Sequence, residues 1–191
     1  GVNLINGQFN LQNSQFKNSL AEDAINFVNS RFKLNNLNIL NVNSDAIDID
    51  FGEGQIINSR FQKISGDAID LSGSKILIKD TVVSKVADKA ISVGEESTLN
   101  IDNLKISDSR IGIASKDSSK VEGKKIKISN CGLYDFAVYQ KKSYFSGAFL
   151  KVQADTSCKE SIVQKGSKLF LNNKKLVDKM FDVKKLYDGT L

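Results

Sequence analysis

Ser44-Asp45-Ala46-Ile47-Asp48-Ile49-Asp50 is followed one period later by Gly66-Asp67-Ala68-Ile69-Asp70-Leu71. The Asp-Ala-Ile core also stands at Asp23-Ala24-Ile25, and more loosely at Asp88-Lys89-Ala90-Ile91. Marking each unit by its first inward aliphatic gives Val2, Ile25, Ile47, Ile69, Ile91, Ile111, Val138 and Ile162, at intervals of 23, 22, 22, 22, 20, 27 and 24 residues. Such a period marks a solenoid, in which each unit buries its apolar face only against its neighbours.

Each unit holds three short alternating runs; in the fifth they are Ile91-Ser92-Val93, Leu99-Asn100-Ile101 and Leu104-Lys105-Ile106. Alternation of period two between polar turns specifies strands. Three strands per unit, with no length left for crossover helices, predict parallel stacking of about eight rungs ~4.8 Å apart. At the bend between the second and third runs stands a column of Asn13, Asn36, Asn58, Asp80, Asn103 and Asn173, interrupted by Lys125. Asparagine tolerates the left-handed backbone of a tight bend, and its amide can bond the next copy along the stack.

On the rung period, the three-strand unit and the asparagine column, Val2 to Leu176 resembles the pectate-lyase-like superfamily of right-handed parallel β-helices. The resemblance implies an all-β solenoid over residues 1–176, a right hand in keeping with other parallel connections, and an extracellular, cell-surface or periplasmic setting. Pectate lyases and polygalacturonases of that superfamily carry their active sites on the first-strand face. The former use acidic calcium ligands with arginine or lysine; the latter use several aspartates with histidine and an arginine-lysine motif. Acids stand at the matching location here, at Asp48, Asp50 and Asp70, but the chain has no histidine and no such motif.

The outward column of the first-strand face reads Asn3, Asn26, Asp48, Asp70, Ser92, Gly112 and Tyr139, with Asp50 beside Asp48 and with Asp45 and Asp67 at the adjoining corner. Crowded carboxylates disfavour joint ionisation unless something offsets them. Asp48, Asp50 and Asp70 therefore suggest a calcium site, a carbohydrate-binding patch, or a glycosidase pair. Local turn bonding by aspartate is the plain alternative. Tyr139 is offered as a platform for a sugar ring. On the third strand, Arg60, Val82, Lys105, Lys127 and Lys151 form a stripe suited to an anionic partner, or simply a solvated face that blunts edge pairing.

Cys131 and Cys158 fall at one corner on consecutive rungs, so a disulfide is geometrically open to them, as are two free thiols. At the C-terminus, Leu176, Met180, Val183 and Tyr187 are spaced i, i+4, i+7 and i+11, with Gly189 following. This spacing predicts an amphipathic helix within residues 177–191 that caps the last rung. Val2 already lies in a full rung, so an upstream domain or another copy is expected to cover its open edge.

Composition narrows the classes of function. The chain has 191 residues with no histidine, proline or tryptophan, which excludes histidine-based zinc sites and a Ser/His/Asp triad within it. Its net charge of +5 is uneven: residues 1–100 carry 9 Lys and Arg against 12 Asp and Glu, residues 101–191 carry 18 against 10. No apolar run is long enough for a transmembrane segment, and aromatics are not interleaved with the lysines as nucleic-acid binding would favour. The expectation is a non-catalytic or accessory module that binds a polysaccharide or a protein. A polysaccharide lyase or hydrolase at the acidic face is the alternative, and a stacking segment of a larger chain a third.

Overall fold

Val2–Ile5, Gln8–Gln12 and Gln15–Ser19 make the first rung, Asp23–Val28, Arg31–Asn35 and Asn38–Val42 the second, and Asp45–Asp50, Glu53–Ile57 and Arg60–Ile64 the third. The computed structural model describes residues 1–158, 160–188 and 190. Each strand pairs in parallel with its counterpart one rung on, and the coil continues through the long strands Lys75–Gly94, Thr98–Lys116 and Lys120–Ser129. The exception is a terminal hairpin, where Phe170 and Leu171 pair antiparallel with Lys174 and Lys175.

The register corrects the phase read from the sequence. Val2, Ile25, Ile47, Ile69, Ile91, Ile113 and Phe136 stack on one another, so the spacing is 23, 22, 22, 22, 22 and 23 residues, without the short and long units. Ile111 stands opposite Lys89, and Ile113 takes the place opposite Ile91. Likewise Val163 points inward and Ile162 outward. The interior is filled by the aliphatics from Ile25 to Ile113 of this column and by Phe27, Phe61 and Phe136, all fully buried. Phe32 stacks on Phe27 at 4.2 Å. Gly54 makes room for that ring, since a Cβ there would come within 2.5 Å of it.

Three columns of left-handed residues turn the chain, where the sequence pointed to one. The asparagine column has positive φ at Asn13, Asn36, Asn58, Asp80 and Asn103, and Lys125 keeps the same conformation without the amide. Asn36 donates to Asn13 at 2.8 Å and Asn103 to Asp80 at 2.7 Å. A second column runs through Asn6, Asn29, Phe51, Gly73 and Glu95, and a third through Asn18, Asn41, Lys63, Lys85, Asp108 and Asn130. Between the first and second strands, buried Ser30, Ser74, Ser97 and Ser119 bond main-chain groups of neighbouring rungs, removing polar groups that would otherwise be orphaned.

The C-terminal segment departs most from expectation. The helix is Val183–Asp188 only, while Lys174–Lys175 is strand and Val177 and Met180 are exposed. Nor does it cap the stack. Leu186 packs with Ile111, Ala114, Ala137, Tyr139 and Ile162, so the helix lies along the first-strand face of the later rungs. Arg110 donates to the carbonyls of Leu186 at 3.1 Å and Tyr187 at 2.8 Å, satisfying groups at the helix end. Gly189, read as its stop, lies outside the described residues. At the opposite end, Leu4, Phe9, Leu11 and Phe16 are only partly buried, and Leu20 is exposed.

Before the first strands, the corner acids form a ladder of their own. Asp45 accepts the Asp67 N–H at 2.7 Å, and Asp67 accepts the Lys89 N–H at 2.9 Å and its ammonium at 3.1 Å. Lys89 also reaches Asp88. Burial by itself would lower the Lys89 ammonium, but Asp67 and Asp88 more than reverse this and hold it charged. Removing one partner of a buried pair strands the other, at a cost of about 3–5 kcal/mol. Lys89→Met is therefore expected to lose about that much in urea denaturation, with much of it restored by adding Asp67→Asn. A loss below about 1 kcal/mol for Lys89→Met would contradict the assignment.

Candidate functional site

Asn26, Asp48, Asp70 and Ser92 stand in register on four successive first strands. Their flanking residues, Ile25 and Phe27, Ile47 and Ile49, Ile69 and Leu71, Ile91 and Val93, are buried. Strand alternation therefore points the polar four outward, about 4.8 Å from rung to rung. Asp50 lies two residues along from Asp48, paired with Ser72.

The carboxylates divide into two groups. Asp45 and Asp67 are spent on the corner ladder, and Asp67 is buried, so neither is a ligand-binding residue as the sequence suggested. Asp48, Asp50 and Asp70 accept no side-chain hydrogen bond among the described residues. Their nearest cation is the Lys116 ammonium, 3.7 Å from Asp70. Lys116 gets there by lying across Gly94, where a Cβ would sit 2.7 Å from its Cε. Sequence reading missed Lys116. The only signal was its place one period after a glycine, which shows its value only once the register is known.

Polar atoms within the column are also uncommitted. Asn26 Oδ1, Asp70 Oδ1 and Ser92 Oγ are buried without a hydrogen-bond partner, and Ser92 as a residue has no exposure. Burial, reinforced by Asp50, Asp70, Asp23 and Asp45, pushes the Asp48 carboxyl up to about 7. Asp23 is raised by burial and then by Glu22. Asp50 is raised by burial, Glu95 and Asp70, with Lys142 opposing. Near neutral pH, Asp48 can thus donate or accept a hydrogen bond.

Four further site expectations are corrected. Calcium at Asp48, Asp50 and Asp70 does not fit: it needs converging oxygens, and these three do not bring one oxygen each within 4.8 Å of one another, whereas Cys131, Asp135 and Cys158 bring their ligand atoms within that limit. Tyr139 faces outward but has no exposure, because the C-terminal helix covers it and its hydroxyl meets that of Tyr187 at 2.8 Å. A sugar ring has no access to its face. The lysine stripe is shorter than expected: Val82, Lys105 and Lys127 stack, but Asp155 follows Lys127, while Lys151 pairs with Glu122 on the second-strand face. The extra residues between Tyr139 and Phe149 place Phe149–Val152 on the second-strand face, and Lys151 with them. Cys131 and Cys158 are free thiols, not a disulfide.

A broad concavity lies elsewhere. A groove of about 1120 Å³ follows the second strands past Asn10, Lys33, Gln55, Lys75 and Asn100. Its Arg31–Glu53 pair, 3.4 Å apart, is well exposed and worth little. The acidic column is the better candidate, because Asp48 and Asp50, both raised by burial, share a face there with polar atoms that lack hydrogen-bond partners.

Comparison with known proteins gives a family and nothing narrower. The family model described as "Right handed beta helix region" matches residues 23–174, more than half of the chain. Neither the curated proteins nor the solved structures gave a match. With its in-register parallel rungs and this match, the chain belongs to the right-handed β-helix family, and its fold is that of the pectate-lyase-like superfamily.

Proposed function

We propose that this module binds a polysaccharide along the first-strand face of its second to fourth rungs, as a non-catalytic part of an extracellular or cell-surface protein. The observation that carries this reading is the division of the acids: Asp48, Asp50 and Asp70 share one outward face and accept no side-chain hydrogen bond among the described residues, Asp70 meeting only the Lys116 ammonium at 3.7 Å, while Asp45 and Asp67 are bonded into the corner. Carboxylates accept short, strong hydrogen bonds from hydroxyls. A straight column repeating at about 4.8 Å suits a linear polymer of hydroxyl-bearing units. The C-terminal helix closes the face beyond Ala114, which limits the track to the earlier rungs.

Charge narrows the ligand. A uronate chain would meet like charge at Asp48, Asp50 and Asp70, whose oxygens do not converge to share a bridging cation. Neutral and amino-sugar polymers meet no such repulsion. A second reading, glycoside hydrolysis, is favoured by one observation: Asp48, pushed up to about 7, stands next to Asp70 on adjacent rungs. The ~4.8 Å rung spacing is near the ~5–5.5 Å between carboxyls of retaining enzymes.

Calorimetric titration with neutral, amino-sugar and uronate polymers tests both readings. The expected result is binding of one of the first two classes, weakened about tenfold or more by Asp48→Asn with Asp70→Asn, and unaffected by Lys127→Ala. Unchanged affinity in the double variant would reject the site. Release of reducing ends that is lost in Asp48→Asn would establish the hydrolase instead. A requirement for a protein ligand, with strong salt dependence, would point to a cationic protein surface.

The protonation of Asp48 gives a separate check. Its folded value of about 7 lies above the ordinary 3.8, so the stability linked to it is complete below about pH 4 and is lost as pH rises through 7. The stability of Asp48→Asn relative to the parent chain should therefore increase between about pH 5 and pH 8. A difference constant with pH would mean that Asp48 titrates as an ordinary carboxylate.

A further inference from the structure

Where the third strand of one rung passes to the first strand of the next, Cys131, Asp135 and Cys158 bring Sγ, a carboxylate oxygen and Sγ within 4.8 Å of one another. Two of the three residues are deeply buried, with Cys131 8% and Asp135 4% exposed. Asp135 has no lysine or arginine partner among the described residues. A buried carboxylate in that position is costly unless something positive or a donor meets it. What it meets is thiols: Cys131 Sγ lies 4.0 Å from its Oδ1.

The surroundings of the sulfurs are those of a thiolate site. The Cys131 N–H donates to Cys158 Sγ at 2.9 Å, and the Ser109 hydroxyl lies 3.9 Å from Cys131 Sγ. Donors directed at sulfur favour its anionic form, the form that ligates a metal.

We infer that Cys131, Cys158 and Asp135 form a site for a thiophilic divalent metal of the zinc type, clipping together the corners of the sixth and seventh rungs. Two thiolates and one carboxylate are ligands of the kind zinc takes, and three protein ligands leave one tetrahedral position for water. Thiolate ligation disfavours calcium and magnesium, which take oxygens. At metal–sulfur distances of about 2.3 Å and metal–oxygen distances of about 2.0–2.2 Å, the ligand atoms must close to roughly 3.5–3.8 Å of one another, a movement of about 1 Å from the observed limit. Binding displaces two thiol protons to solvent and involves no change of oxidation state.

Titrating the reduced protein anaerobically with Co²⁺, then displacing it with Zn²⁺, tests the proposal on the intact chain. One equivalent of Co²⁺ should bind with sulfur-to-metal charge-transfer absorption and tetrahedral visible bands. Zn²⁺ should abolish both, protect the two thiols from a disulfide reagent, and raise the melting temperature with metal concentration. Asp135→Asn should weaken binding about tenfold or more, and Cys131→Ser or Cys158→Ser should remove the charge-transfer band. The proposal is overturned if the reduced parent chain shows no charge-transfer band, or if either serine variant binds with the parent's affinity and spectrum. Because the first readout uses the unmodified protein, misfolding of a variant cannot decide the outcome.

Discussion

Main-chain hydrogen bonding between successive rungs is the interaction on which the other features depend, because strands satisfy their N–H and C=O groups by lying in register on the next rung, 22 or 23 residues away along the first-strand face from Val2 to Phe136. Register turns the sequence into columns. Inside, isoleucine meets isoleucine and packs well. Outside, the same rule sets Asp48 beside Asp70 and Asp45 beside Asp67, where like charges repel. The fold absorbs this in different ways at different places. At the corner, Asp45 and Asp67 take main-chain N–H groups, and Lys89 is buried with Asp67. On the face, Lys116 leans over Gly94 toward Asp70, and Asp48 holds its proton to about pH 7.

This division separates residues that build the solenoid from those left to meet a ligand. The repeated Asp-Ala-Ile sequence belongs mostly to folding, since its aspartate bonds the corner and its isoleucine enters the core. The acids one and three positions beyond it, Asp48 and Asp70 and then Asp50, take no part in that corner ladder. Further along, the same face turns apolar at Ile111, Ala114, Ala137 and Ile162, and the C-terminal helix covers it. A single face thus changes from polar track to packing surface within a few rungs, a change set by outward side chains that the backbone tolerates equally well.

Much of the fold was legible because its period is carried by residues that repeat in kind. The isoleucines of the second to fifth rungs and the asparagines of the middle bend are of this sort. The other two left-handed columns were not, because Phe51, Glu95, Lys63 and Lys85 stand where asparagine could, and none of these residue types signals positive φ. Phase failed where two aliphatics compete and where a corner lengthens: Ile111 precedes the core residue Ile113 by two positions, and the extra residues between Tyr139 and Phe149 carry Lys151 onto the second strand. Tyr139 was placed on the correct side of its strand, but its cover comes from Tyr187, 48 residues away, which no local pattern reveals. The helix was misplaced for the opposite reason. Leu176 and Met180 match its period, yet hairpin pairing and exposure claim the segment around them.

The central claim is that Asp48, Asp50 and Asp70, and not the corner acids or the second-strand groove, form the binding face. Carbon-detected NMR of the aspartate side-chain carboxyls, recorded while a neutral or amino-sugar oligosaccharide is added, tests it most directly. The account predicts that the carboxyl signals of Asp48, Asp50 and Asp70 move with a common saturation curve while those of Asp45 and Asp67 stay fixed. Saturable shifts confined to Asn10, Lys33 and Gln55, with the five aspartates unmoved, would contradict it.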